Sequence, residues 1–387
     1  MTRAIEIRGY VVGFGDCVLL RVPDGTQTRH ILIDFGRAPN DASSLARFPA
    51  IAENIEKRCN GHLDLLIATH EHLDHIEGFY RQREIFDRMA VDRVWLGLPS
   101  HPDYYKKFPK ARLQKKLRDG LQGFAQSAQR NGIVMHPGFQ SLLENNIANR
   151  DRVDYLRGLS RRPAYLARGK SEAASRAFRN IRIRVLAPEP DVSVYYTASS
   201  RERALTSALS AAGNVAGDVD PAWQFPDAAR AAPNEWGGLS RSDFERLRRL
   251  IREDGVAAAR FIDRAQNNTS LCFLIEAAGK RLLLPGDAEL ESWEIMKKKC
   301  AAELGSPVDF LKVAHHGSHN GTPTDMLDTL LPIRRKDRAQ ALVSTKHKVY
   351  GTKNPVPDEG LIKNLKRRCR RLVTTDGQTG THVDLEI

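Results

Sequence analysis

No apolar run in this chain approaches the roughly 20 residues needed to span a bilayer. The start, Met1 to Ile7, goes straight into strand-like alternation and lacks a signal peptide's apolar stretch. The expectation is a cytoplasmic protein with no membrane partner. Cysteine is scarce: Cys17, Cys59, Cys272, Cys300 and Cys369 are odd in number and never spaced C-x-x-C. That argues against a disulfide framework and against a zinc knuckle. Free cysteine is usually a small buried hydrophobe, so inert thiols are expected. The chain also lacks internal repeats and any low-complexity stretch long enough to act as a tether.

Acidic residues are in deficit. Lys and Arg number 60 against 47 Asp and Glu, a formal net charge of +13. Such a balance favours polyanionic partners, namely nucleic acid, nucleotides or phosphorylated surfaces. Basic clusters fall at Lys106-Lys107, from Lys110 to Arg118, at Arg161-Arg162 and from Lys366 to Arg371. The same clusters read equally well as solvated helix faces, and charge alone does not choose. With 41% hydrophobic and 28% charged residues, the 387-residue chain fits a globular protein with a sizeable core.

Periodicity places the elements. Residues 4–12 and 17–22 alternate as strands around the turn Gly13-Phe14-Gly15-Asp16, and His30 to Asp34 is a third strand. A helix over Ala42 to Lys57 and a buried strand over Leu63 to Thr69 follow. Phe79 to Met89 reads as helix and Asp92 to Leu96 as strand. Further strands are expected at Ile181 to Leu186, Ser270 to Ile275, Lys280 to Leu284, Val308 to Val313, Ala341 to Val343 and Arg371 to Thr374. Residues 103–180 and 197–262 are charged and helix-compatible, as insertions into one α/β sandwich spanning residues 1–387 would be.

Chemistry concentrates in Thr69-His70-Glu71-His72-Leu73-Asp74-His75, directly after the buried strand. His70 and His72, two apart at an extended strand end, project to one side. Asp74 and His75 follow as the chain turns into a helix and reach a second position. Imidazoles with carboxylates suit zinc, and also manganese or iron where oxygen ligands are more numerous. A lone histidine is ordinarily a core or surface residue. Three histidines and an aspartate within six positions after an apolar strand are not accounted for that way.

The motif H-x-H-x-D-H resembles the signature of the metallo-β-lactamase superfamily, which implies an αββα sandwich, here with helical insertions. Other landmarks occur in the family's order. Asp34 resembles the aspartate that braces the metal loop, and Asp287, in Leu284-Pro285-Gly286-Asp287, resembles the one that bridges both metals. His315-His316-Gly317-Ser318 resembles the late histidine motif. Gly15-Asp16, Asn268-x-Ser270 and the His-His-Gly-Ser element together are similar to the hydrolase domain of bacterial DNA-uptake channel proteins and its soluble relatives. That likeness covers about residues 4–100 and 265–387 and leaves both insertions without a counterpart. It also departs in two places. The family's third first-site histidine has only His101 and His136 as candidates, neither at a strand end. The late Gly-His-Pro is replaced by Tyr350-Gly351-Thr352-Lys353-Asn354-Pro355.

These readings set the expectations. One divalent ion is assigned to His70, His72 and Asp287, and a second to Asp74, His75, Asp287 and one of His315 or His316, with His315 slightly favoured. Zinc is the first choice and manganese the alternative. Asp74 would also orient the attacking hydroxide, and His319 is a candidate proton donor as well as a plain surface histidine. Lys312, Ser318 and Lys346 are the candidate substrate contacts, the lysines reading equally as solvated charge. The leading function is a phosphodiesterase or nuclease acting on nucleic acid or a nucleotide. The alternatives are hydrolysis of a small ester, lactone, amide or thioester, and a non-catalytic binding protein on the same scaffold.

Overall fold

The computed structural model describes residues 4–112, 115, 118, 119, 122, 137–147, 149–169, 178–195, 262–347, 349 and 355–387. Alternation at the start of the chain makes the first sheet. In β1 (Glu6–Tyr10), β2 (Val18–Asp24) and β3 (Gln27–Ile33), Ile7, Val18, Leu20, Ile31 and Ile33 face one apolar layer while Tyr10, Leu19 and Leu32 face another. Successive side chains of a strand point to opposite faces, so this antiparallel meander has to be covered on both. After helix α1 (Phe48–Arg58) and the short β4 (His62–Leu63), β5 (Leu65–Ala68) adds parallel to β3. The chain continues through α2 (Leu73–Arg81), α3 (Arg83–Phe86) and β6 (Ala90–Val91), which pairs with β4. Then β7 (Val94–Gly97) and β8 (Pro163–Leu166) extend the sheet in parallel. Strand β15 (His382–Glu386) closes the opposite edge, giving the order β15-β1-β2-β3-β5-β7-β8.

The second sheet is β14-β13-β12-β11-β10-β9. Its strands are β9 (Ile181–Ala187), β10 (Cys272–Ala277), β11 (Lys280–Leu284), β12 (Phe310–Lys312), β13 (Gln340–Val343) and β14 (Arg371–Thr374). Pairing is antiparallel from β9 to β11 and parallel from β11 to β14. Between the sheets, Ile33, Ile67 and Trp95 of the first pack with Ile183, Phe273, Leu284 and Phe310 of the second. Helices α1 to α3 cover the outer face of the first sheet through Phe48, Ile51, Ile76, Phe79 and Phe86. Further helices among the described residues are α4 (Tyr104–Lys107), α5 (Pro137–Ile147), α6 (Arg150–Gly158), α7 (262–267), α8 (Leu290–Lys299), α9 (Ala301–Leu304), α10 (Thr324–Leu330) and α11 (Glu359–Arg368). Of these, α8, α10 and α11 cover the outer face of the second sheet through Trp293, Met296, Leu327, Leu330, Leu361 and Leu365. The architecture is α/β, in layers of helix, sheet, sheet and helix.

Several boundaries differ from the sequence expectation. The helix expected at Phe79 to Met89 begins earlier, at Leu73, and breaks at Gln82 (φ −108°, ψ 28°) before the single turn of α3. Within the stretch expected to be mainly helical at 103–180, Pro163–Leu166 is an edge strand, with its proline at the first position where no ladder donor is required. Strand β15 is an addition that alternation alone did not mark. The expected insertion at 197–262 lies, except for its last residue, outside the described residues. All five cysteines are free and buried. Among the described residues, no helix is long and apolar enough to cross a membrane.

Candidate metal centre

Four strand ends supply the site. The chain leaves β3 into Asp34, β5 into Thr69 to His75, β11 into Gly286-Asp287, and β12 into His315-His316. β3 and β5 are parallel neighbours in one sheet, β11 and β12 in the other, so all four loops emerge at carboxyl ends. Such ends are where open α/β sheets carry their sites. The first turn of α2 is held against these loops. Phe35 N donates to His75 O (2.7 Å) and Asp16 N to Asp74 O (3.0 Å). Gly36 permits the approach, since a Cβ there would lie 2.3 Å from Leu73 O. Asp34, His315 and His316 all take left-handed backbone, with φ of 56°, 47° and 53°. Non-glycine residues adopt that region at a cost, and such strain concentrates at functional sites.

Asp74, His75, Asp287 and His316, all buried, bring one ligand atom each within 4.8 Å of one another, a group that could hold a metal ion. Asp287 Oδ2 lies 3.2 Å from both His75 Nε2 and His316 Nε2, and Asp74 Oδ2 lies 3.2 Å from His316 Nε2. His70 and His72 adjoin this group. Nε2 of His70 faces Nδ1 of His72 at 3.0 Å, and the His70 and His75 ring centroids are 4.1 Å apart.

The outward nitrogens indicate which atoms are offered inward. His75 Nδ1 meets Asp34 Oδ2 at 2.8 Å, His316 Nδ1 meets the carbonyl of Ser344 at 3.0 Å, and His72 Nε2 meets Asn146 Oδ1 at 3.0 Å. Each partner is an acceptor, so each of these nitrogens carries the proton and the opposite nitrogen faces the cluster. His70 Nδ1 lies 3.2 Å from two hydroxyls, those of Thr69 and Ser270. The inward atoms His75 Nε2, Asp74 Oδ1 and Asp287 Oδ1 are buried without a hydrogen-bond partner. Orphaned lone-pair atoms of one type, converging in a buried spot, are the fit expected of a cation site.

Electrostatics agree. Burial opposes charge on His75, yet Asp287, Asp34 and Asp74 raise its pKa well above the usual imidazole range. Burial opposes charge on His316 too, and Asp287 and Asp74 still push it up to about 10. His70 goes the other way, held well below its ordinary value by burial and by His75 and His72. Negative charge is thus in excess on the Asp74–Asp287 side. Lys312 offsets part of it from beneath, paired with Asp16 and 3.9 Å from Asp287 Oδ1.

The structure brings His70, His72, Asp74, His75, Asp287 and His316 together and reassigns the other candidates. The preference for His315 is reversed. The two left-handed residues turn the His316 ring under Phe14 (centroids 4.4 Å) and into the cluster, while His315 sits at the rim, 3.6 Å from Glu289 Oε1. Lys312 is buried on Asp16 and is not open to substrate. Lys346 is tied to Asp41 and to the hydroxyls of Ser43 and Ser44. Ser318 donates to Asn320 Oδ1 (2.7 Å), and exposed His319 makes no hydrogen bond or ion pair with the cluster. His101 packs edge-on to Tyr165 (4.8 Å), away from the cluster, and His136 lies outside the described residues.

Sequence reasoning did not find Asn146, Asp263, Asn267 or Glu289. Asp263 Oδ1 is 3.6 Å from His72 Nε2, and Asn267 links Glu289 Oε1 (2.8 Å) to the His315 ring. The available signal was an unusual run of asparagines, Asn145, Asn146 and Asn149, on an otherwise amphipathic segment, and a second at Asn267-Asn268. No protein-family model and no curated protein matches the chain.

Proposed function

We propose that this chain is a metal-dependent hydrolase of the metallo-β-lactamase fold, acting as a phosphodiesterase or nuclease. The observation that carries the reading is the inward set of His72 Nδ1, His75 Nε2 and His316 Nε2, held that way by outward acceptors, together with the carboxylates of Asp74 and Asp287. His70, His72 and Asp287 would hold one divalent ion, and Asp74, His75, His316 and Asp287 a second, with zinc the first candidate and manganese the alternative. Such ions would lower the pKa of a water toward neutrality and counter the charge that builds on the attacked group.

The chain's own residues supply the rest. Asp34 orients His75 and ties down Thr69, whose amide and hydroxyl both donate to it (2.7 and 2.8 Å). Asp74 Oδ1, without a hydrogen-bond partner, would orient the attacking oxygen. The cleft beside His70 is lined by Tyr105, Gln266, Ser100 and the ion pair of Arg118 with Glu71 (2.8 Å), a polar wall with one aromatic. That lining and the +13 net charge favour a phosphodiester over an apolar ester.

Metal analysis of purified protein, then assays on single-stranded DNA, RNA and bis(p-nitrophenyl) phosphate with zinc or manganese, test the reading. The expected result is two ions per chain and metal-dependent cleavage of a phosphodiester. Two bound ions with activity only on lactones, esters or thioesters would transfer the assignment to the small-molecule hydrolases. Protein that takes up neither ion would end the hydrolase reading.

A further inference from the structure

Three asparagines of the first helical insertion grip the metal loop at consecutive residues. Asn149 Nδ2 donates to the carbonyl of Glu71 (2.8 Å), Asn146 Oδ1 accepts from His72 Nε2 (3.0 Å), and Asn145 Oδ1 accepts from Leu73 N (2.9 Å) at the first turn of α2. All three asparagines are buried, at 4% exposure or less. The orientation of the Asn146 amide is set by its other end, where Nδ2 donates to Leu142 O (2.8 Å) and to Asp263 Oδ1 (3.0 Å). Both of those are acceptors, so the oxygen has to face His72, and His72 has to carry its proton on Nε2.

We infer that this insertion is a built part of the metal centre, with Asn146 a positioning residue that fixes which nitrogen His72 offers to an ion. The inference rests on the hydrolase reading above. Two links act in series. Asp263, on α7, orders the amide of Asn146, and Asn146, on α5, orders the His72 ring so that Nδ1 faces His70 Nε2. The sequence departure explains why the arrangement is useful here. Among the described residues no third histidine joins His70 and His72, and the orientation of these two is set from outside, by the inserted helix.

The test uses the full chain with selectively 15N-labelled histidine. In metal-free wild type, the His72 ring should show the tautomer protonated at Nε2. Asn146→Leu, similar in size but with no acceptor, should give a mixture of tautomers. It should also weaken binding of the first zinc or cobalt ion by about 10–100-fold, the usual consequence of losing an outer partner of a ligating histidine. If Asn146→Leu does not fold, Asn146→Ser breaks the same contact with a polar side chain and reads the same two quantities. A wild-type His72 protonated at Nδ1 overturns the inference. So does a variant whose ring signal and metal affinity match wild type. Wild type that takes up no divalent ion sinks the hydrolase reading, and this inference with it. Wild type that binds ions with an affinity indifferent to Asn146 sinks this inference alone.

Discussion

Asp287 faces His75 and His316 at 3.2 Å each and Lys312 at 3.9 Å, so it joins the charges of both sheets at one carboxylate. Replacing it with alanine should reduce hydrolysis by more than the roughly 10–100-fold that loss of an outer partner costs, with the circular dichroism of the folded protein retained. Asp74→Ala should behave alike. A variant that keeps near-wild-type turnover in matched metal would remove that residue from the centre. The two raised histidines make a second test. In metal-free protein the His316 imidazolium is favoured by the fold. Its stabilising contribution is complete below the ordinary value near 6.5 and is lost as pH rises through about 10. His75 is raised in the same direction. An ion must displace these protons, so metal affinity should fall as pH is lowered from 8 to 6. Titration calorimetry in buffers of different ionisation enthalpy should register about two protons released. Release of none would mean the ion binds elsewhere.

Element packing decides how far α2 can move. Its first turn carries Asp74 and His75 and lies on Gly36, where an added Cβ would meet Leu73 O at 2.3 Å and His75 N at 2.4 Å. Gly36→Ala should therefore cost about 1–3 kcal/mol of stability through overpacking and should also weaken metal binding, because the shifted atoms belong to the ligand loop. Denaturant melts with and without zinc measure both effects, and a loss of stability with unchanged affinity would show that the loop yields without moving its ligands. The helix also shows what sequence can and cannot carry. His70, His72, Asp74 and His75 were legible because one strand end and one helix start place them, and both are local. Asp287 and the late histidines were legible as strand-end residues only through their likeness to a known family. The choice of His316 over His315 was not, since both have the same neighbours and only two left-handed residues separate them. Lys312 was misread because its partner Asp16 is 296 residues away. Asn146 and Asp263 act from helices joined to the motif by tertiary contact alone.

At the scale of the whole molecule, the surplus positive charge has to be apportioned afresh. With Lys312 buried and Lys346 paired, any polyanion binding would fall to exposed residues such as Lys106, Lys107 and Lys115. Exposed ion pairs of the kind Lys106 makes with Asp103 hold these lysines weakly. Binding of single-stranded DNA should weaken with salt, with a slope of log K against log salt near −0.7 for each phosphate neutralised. Glutamate at all three positions should flatten that slope while turnover of bis(p-nitrophenyl) phosphate stays unchanged. Affinity that is flat from low to high salt in wild type would favour the small-ester alternative.

Because Asp74 and His75 hang from one sheet while Asp287 and His316 hang from the other, an ion held by these four would be a clasp across the sandwich. Its nearest mechanical analogue is a disulfide closing a loop of some two hundred residues, from Asp74 to Asp287. Opened, the clasp leaves the two sheets joined at that rim by side-chain contacts and by the hydrogen bond from Leu271 N to Thr69 O (2.8 Å). Chelation should then raise amide hydrogen exchange at the carboxyl ends of β3, β5, β11 and β12 together, as one cooperative unit, while the far ends of the same strands keep their protection.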